Sequence, residues 1–205
     1  MRRLGVNIDH IATLRNARGE NHPNPIDGAK FAKSAGADSI TIHLREDRRH
    51  IRDLDAKKIC SLKNIPVNLE ISTNTEMVKA AIKIKPNFIC IVPENRKEIT
   101  TEGGLNLNKN KNKIKKIIHR FKKNRVRTSL FINPSLKDIR EAKQLGAECI
   151  EIHTGRLANL IKLKKNYRIE FKKILECSIL AEQLNMEVHA GHGLDYETTK
   201  KLKKI

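Results

Sequence analysis

Ser39-Ile-Thr-Ile-His43-Leu-Arg45-Glu-Asp-Arg-Arg-His50 is the stretch that decides the fold. Over its first five residues polar and apolar side chains alternate, the period of a strand with two unlike faces. Ser39, Thr41 and His43 share one face, and Ile40 and Ile42 share the other. The strand then runs into a cluster of Arg, His and acid, so functional groups are delivered at its C-terminal end. In α/β folds that is where ligands bind. The stretch has an echo, because Gly36-Ala-Asp-Ser-Ile-Thr-Ile-His43 is matched by Gly146-Ala-Glu-Cys-Ile-Glu-Ile-His153. Each copy has a Gly to close a helix, an alternating strand and a terminal His. That is the mark of a repeated βα unit.

Working outward, strand patterns fall at residues 4–8, 38–44, 66–71, 87–92, 126–132, 148–153 and 186–190. Helical spacing fills most of the gaps. Asn24 and Pro25 open one helix as N-cap and first-turn residue. Others follow at 53–63, 73–84 and 107–123, from Ser135 to Gly146, and at 166–184, and Asp195 caps a last one. Residues 10–20 read as a mixed loop carrying Arg15 and Arg18, residues 93–104 as a long loop, and Thr154-Gly155-Arg156 as a turn. Without hairpin signals or a linker, residues 1–205 are expected to form one domain. Open doubly wound sheets and (β/α) barrels share this pattern, and the inner faces choose between them. Asn7/Asp9, Thr41/His43, Asn68/Glu70, Glu151/His153 and His189 are polar residues near strand ends, and helix packing would leave them without partners. Converging on one mouth they can satisfy each other and a ligand. The expected fold is therefore α/β, a TIM (β/α)8 barrel with seven βα units visible.

Composition narrows the functional classes. There are 42 Lys+Arg against 23 Asp+Glu, a net charge of +19, which raises nucleic acid as a partner. The excess sits in Lys- and Asn-rich stretches at 108–127 and 162–173, interleaved with Ile at helical spacing. Aromatics make up only 3%, leaving little to stack on bases. These stretches read as solvated outer helix faces. No apolar run approaches the ~20 residues of a membrane span. The four cysteines are scattered and suit a reducing cytoplasm.

The mouth offers several His, carboxylates and a ring of Arg. Arg18, Arg45, Arg48, Arg49 and His50 suit an anionic, phosphorylated substrate. Gly191-His192-Gly193 and Thr100–Gly104 can bring backbone N–H groups to phosphate oxygens. His43, His192 and Glu70 are general acid–base candidates. No paired ligand spacing on one helix suggests a metal, and none is expected.

These residues resemble the pyridoxine 5′-phosphate synthase family. The likeness rests on Gly5-Val-Asn7-Ile-Asp9-His10-Ile-Ala-Thr-Leu-Arg-Asn-Ala-Arg18-Gly19 and His43-Leu-Arg45-Glu-Asp-Arg-Arg-His50-Ile51. It continues through Asn68-Leu-Glu70, Val92-Pro-Glu94, Thr100-Thr-Glu-Gly-Gly104, Ser129–Ile132, Ile150–Gly155 and Ala190–Leu194. The resemblance implies a TIM barrel that condenses 3-amino-2-oxopropyl phosphate with 1-deoxy-D-xylulose 5-phosphate, giving pyridoxine 5′-phosphate, phosphate and water. It implies His43 and Glu70 as proton acceptors, His192 as proton donor and Glu151 as a transition-state-stabilising carboxylate. Asn7 and Gly193 would meet the amino-ketone phosphate. Asp9, His10, Arg45, His50 and Thr100 would hold the deoxyxylulose phosphate, with Arg18 a further binding position. It implies no cofactor, and an octameric homo-oligomer. His189 stands where the family usually has Asn. The family also continues into an eighth strand and a further phosphate-binding element that these 205 residues do not show. For the 205 residues alone the expectation is therefore impaired closure and turnover. An inactive barrel remnant and a basic nucleic-acid-binding protein are the alternatives.

Overall fold

Ile-rich strands alternating with amphipathic helices can bury both strand faces only in a parallel sheet with helices on its outer side. The computed structural model describes residues 2–94 and 103–203. Its strands are β1 (Gly5–Asn7), β2 (Ser39–His43), β3 (Val67–Ile71), β4 (Phe88–Ile91), β5 (Arg127–Ile132), β6 (Cys149–His153) and β7 (Glu187–Gly191). They pair in chain order, every pair parallel. The helices are α1 (Asp9–Arg18), α2 (Pro25–Ser34), α3 (Asp53–Cys60), α4 (Thr75–Ile84), α5 (Lys111–Lys123), α6 (Leu136–Leu145), α7 (Gly155–Lys162), α8 (Arg168–Gln183) and α9 (Tyr196–Leu202).

The sheet is curled. Cys90 on β4 reaches Glu151 on β6 across the intervening strand, and Arg3, just before β1, forms an ion pair with Glu187 on β7. Among the described residues β1 and β7 do not pair with each other. The architecture is a half-closed barrel with seven of the eight βα units of a TIM barrel. On the outer face Ile40, Ile42, Val67, Leu69, Ile89 and Ile150 are fully buried, within one cluster that includes Ala29, Ala56, Ile59, Val78 and Ala81 of the helices. Each buried aliphatic side chain contributes about 1.5–3 kcal/mol. Inside the curl Cys90, Val92 and Phe131 form a second, small cluster.

Local chemistry explains four helix starts. Asn24 accepts from the Ile26 N–H, Asn74 from Glu76, Ser135 from Asp138 and Asp195 from Thr198, so each supplies an orphan donor with an acceptor. In α5 the Ile114, Ile117, Ile118 and Phe121 face is buried while Lys113, Lys115, Lys116 and Lys122 point to solvent. The basic stretch is a solvated outer face.

Two sequence expectations need correction. Residues 10–20 are not a mixed loop, because residues 9–18 form a ten-residue helix. Asp9 in its first turn and Arg15 and Arg18 in its last match the helix dipole. Arg15, which reads as a loop residue, is buried in a two-pronged bond to Asp55 of α3, both contacts at 2.8 Å. Likewise Thr154-Gly155-Arg156 is not a free turn. Gly155 opens α7, whose Leu157, Ala158 and Ile161 are buried at helical spacing.

Candidate active site

Parallel pairing in register sets the site's inner row. Thr41 lies beside Asn68, and His43 beside Glu70, which in turn neighbours Cys90. At the first corner Asn7 Oδ1 accepts the Asp9 N–H at 2.9 Å, and Asn7 Nδ2 donates to Asp9 Oδ2 at 3.1 Å. The other oxygen of Asp9 accepts the backbone N–H of His43 at 2.8 Å. One carboxylate thus ties the start of α1 to the end of β2. Burial raises its pKa, against the pull of the His43 N–H and ring.

Glu70 and Glu151 are the chemically loaded pair. Burial pushes both carboxyls well above the ordinary range, and the nearby Glu151 raises Glu70 further. Near neutrality such acids exist in both protonation states, which suits them to exchange protons. Glu151 sits against Gly191, where a Cβ would lie 2.3 Å from its Oε1. Its other oxygen is 3.7 Å from Cys90 Sγ. Burial drives the Cys90 thiol upward, so it stays protonated and donates.

His43 is 5% exposed and lies between two carboxylates. Nδ1 is 3.6 Å from Glu70 Oε2, and Nε2 is 3.6 Å from Glu94 Oε2. Glu94 also lies 3.7 Å from Arg45 Nε and accepts the Glu46 N–H at 2.8 Å. In the sequence Glu94 is legible only as part of a motif, with no role of its own.

The second histidine comes from the end of β7. His192 has a left-handed backbone, φ 82°, a conformation that costs a non-glycine residue energy. Thr154 Oγ1 lies 2.6 and 2.8 Å from the Gly191 and His192 carbonyls, and Lys162 Nζ donates to the Gly193 carbonyl at 2.8 Å. These contacts hold the strained turn. The His192 ring stacks on His153, centroids 4.8 Å apart, and Phe131 packs edge-on to His153. Burial lowers the pKa of His192. Burial and His192 together lower that of His153 to about 4, so His153 is neutral at physiological pH. A Cβ on Gly155 would meet both rings at 2.9–3.0 Å.

The expected ring of arginines only partly converges. Arg45 is buried beside Glu94. Arg48 pairs with Asp53, Arg49 with Asp47, and exposed Arg18 with Glu20. Proximity in the sequence suggests one anion-binding ring, but each of these three is matched to an acid a few residues away. His50 is set by Thr13, with Oγ1 2.7 Å from Nδ1, and its carbonyl accepts from Asn16 at 2.8 Å. Exposed His10 packs edge-on to the His50 ring at 6.0 Å. Gly193 lies against α7. Thr100 is outside the described residues. A cluster of Cys149, Glu187 and His189 has ligand-type atoms within 4.8 Å of one another. Arg127 and Arg3 already neutralise its carboxylate, and His189 is hydrogen-bonded to it at 2.8 Å. That arrangement does not favour a cation.

A curled parallel sheet whose strand ends gather carboxyls and histidines defines a fold of the (β/α)-barrel class with candidate acid–base groups at its mouth. The family described as Pyridoxal phosphate biosynthesis protein PdxJ matches residues 4–205, and the chain belongs to it. A pyridoxine 5′-phosphate synthase of Pelagibacter ubique is 62% identical over 205 residues, covering all of this chain and 86% of that protein. One from Coxiella burnetii is 46% identical over 205 residues, covering 100% and 85%. Among solved structures, a dihydropteroate synthase from Thermus thermophilus superposes with a TM-score of 0.46 at 12% identity, over 98% of this chain and 90% of that one.

Proposed function

We propose that this protein is a pyridoxine 5′-phosphate synthase, joining 3-amino-2-oxopropyl phosphate to 1-deoxy-D-xylulose 5-phosphate with loss of phosphate and water. The observation that carries the chemistry is the half-buried pair of carboxyls Glu70 and Glu151, both shifted upward by desolvation, beside His43. Closing a pyridine ring from an amino ketone and a sugar phosphate needs an imine, several proton transfers and departure of water and phosphate. Groups that hold and release protons near neutrality serve those steps. In this reading His43 and Glu70 accept protons, Glu151 steadies developing positive charge, and His192 donates to a leaving group. The His192 ring is placed for this by the turn that Thr154 and Lys162 hold.

Two phosphate ends are needed. Asn7 and Gly193 are assigned to the amino ketone; Arg45, His50, Asp9, His10 and Thr100 to the deoxyxylulose phosphate, with Arg18 as a further contact. Support comes from Thr13 and Asn16, which fix His50, and from burial of Arg45, which strengthens its field. Among the described residues no helix is long and apolar enough to cross a membrane. We place the enzyme in the cytoplasm as a homo-oligomer, an octamer by family likeness. The test is formation of product by the purified full-length protein from the two phosphorylated substrates. Absence of product from a folded sample refutes the assignment.

A further inference from the structure

We propose that Glu94 is the positioning residue for His43, holding the ring N–H on Nε2 and leaving Nδ1 as the lone-pair nitrogen that faces Glu70. Two buried atoms that have no hydrogen-bond partner among the described residues, His43 Nε2 and Glu94 Oε2, face each other across 3.6 Å. The Glu94 side chain is only 2% exposed, so water is no ready alternative partner. A neutral imidazole carries a single N–H, and the two carboxyls flanking His43 compete for it.

The competition is unequal. Burial opposes ionisation of Glu94, but the His43 ring, the Glu46 N–H and Arg45 outweigh it and hold the carboxyl below its ordinary range. Glu70 is shifted the opposite way by desolvation, so near neutrality it is ionised only in part and is the weaker acceptor. An ionised acceptor forms roughly twice as strong a bond as a neutral one, so the ring N–H goes to Glu94. Asp9, from the start of α1, also faces His43, and its hydrogen bond goes to the His43 backbone N–H. Glu94, His43 and Glu70 then form a line. A fixed carboxylate orients an imidazole whose far nitrogen exchanges a proton with a second carboxyl, the logic by which a buried acid fixes a histidine tautomer in hydrolytic triads.

The catalytic consequence rests on the synthase reading, but the tautomer does not, and this separates the two tests. In protein labelled with 15N on histidine, at neutral pH and without substrate, His43 is expected to show the Nε2–H tautomer. In Glu94→Gln, which keeps the shape and removes the charge, the signal should move to the Nδ1–H form or a mixture. With substrates, kcat of that variant should fall roughly 10²-fold, with an altered pH profile and no rise in KM for deoxyxylulose phosphate. A merely structural role would move melting temperature and KM and leave the tautomer alone. An Nδ1–H wild-type ring, or an unchanged tautomer in folded Glu94→Gln, overturns the proposal whether or not the wild-type protein makes product. The wild-type spectrum decides the question even if the variant does not fold.

Discussion

Replacing Gly191 by Ala places a methyl group 2.3 Å from Glu151 Oε1 and 3.2 Å from its Cδ. Ordinary contact begins near 3.4 Å, so the carboxylate must retreat by about 1 Å. It is hemmed in, with Cys90 against its other oxygen. Gly191 has no positive φ, so the backbone accepts Ala and the effect is local to the carboxylate. Overpacking of this kind costs about 1–3 kcal/mol. For a domain of this size that is a fall in melting temperature of about 2–4 °C per kcal/mol. A 1 Å displacement of a reacting group costs roughly 10²-fold in rate. Turnover should therefore drop far more than stability. The control is the same substitution in a Glu151→Ala background, where the clash partner is gone. There Gly191→Ala should cost almost nothing in thermal melting, giving a clear coupling between the two sites. Equal cost in both backgrounds, or near-normal kcat in Gly191→Ala, would refute the close fit and the role given to Glu151.

Three further outcomes follow from the same geometry. Glu70→Gln should lose most turnover with the fold intact, and it should also flatten the dependence of stability on pH. Because burial raises the folded pKa of Glu70 above its unfolded value, its contribution is complete below about 4.5 and is lost as pH rises through the folded value. A wild-type melting temperature that does not fall from acid to alkaline pH more than that of the variant would contradict this. Arg45→Lys should raise KM for deoxyxylulose phosphate, because an ammonium cannot replace a planar fork. An unchanged KM would assign Arg45 to its pairing with Glu94. Asp55→Asn, which leaves the buried Arg15 charge unmatched, should cost about 3–5 kcal/mol in denaturant unfolding. A loss under about 1 kcal/mol would show that water reaches that pair.

What can be read in the sequence is what is local. The matched Gly-Ala-x-x-Ile-x-Ile-His segments lie at β2 and β6, and Asn24, Ser135 and Asp195 cap helices, because strand period and caps are decided within a few residues. His43, Glu70, Glu151 and His192 are likewise legible as polar groups at strand ends. Contacts between distant segments are not. Arg15 and Asp55 are 40 residues apart and Cys90 and Glu151 are 61 apart, and neither pairing has a spacing signature. Helix α1 escapes a sequence reading because a buried Arg breaks its apolar stripe and the compensating Asp lies on another element. Glu94 is hidden for the same reason, since its importance comes from where β2 places His43.

The central claim is that the strand-end carboxyls and histidines build a pyridine ring from two phosphorylated substrates. The most direct measurement follows product and phosphate together, supplying the purified full-length protein with 3-amino-2-oxopropyl phosphate and 1-deoxy-D-xylulose 5-phosphate. The account predicts pyridoxine 5′-phosphate in equal amount with released inorganic phosphate, both largely lost when Glu70→Gln replaces the wild type. Phosphate release without pyridoxine 5′-phosphate, or product formation undiminished in Glu70→Gln, would contradict it.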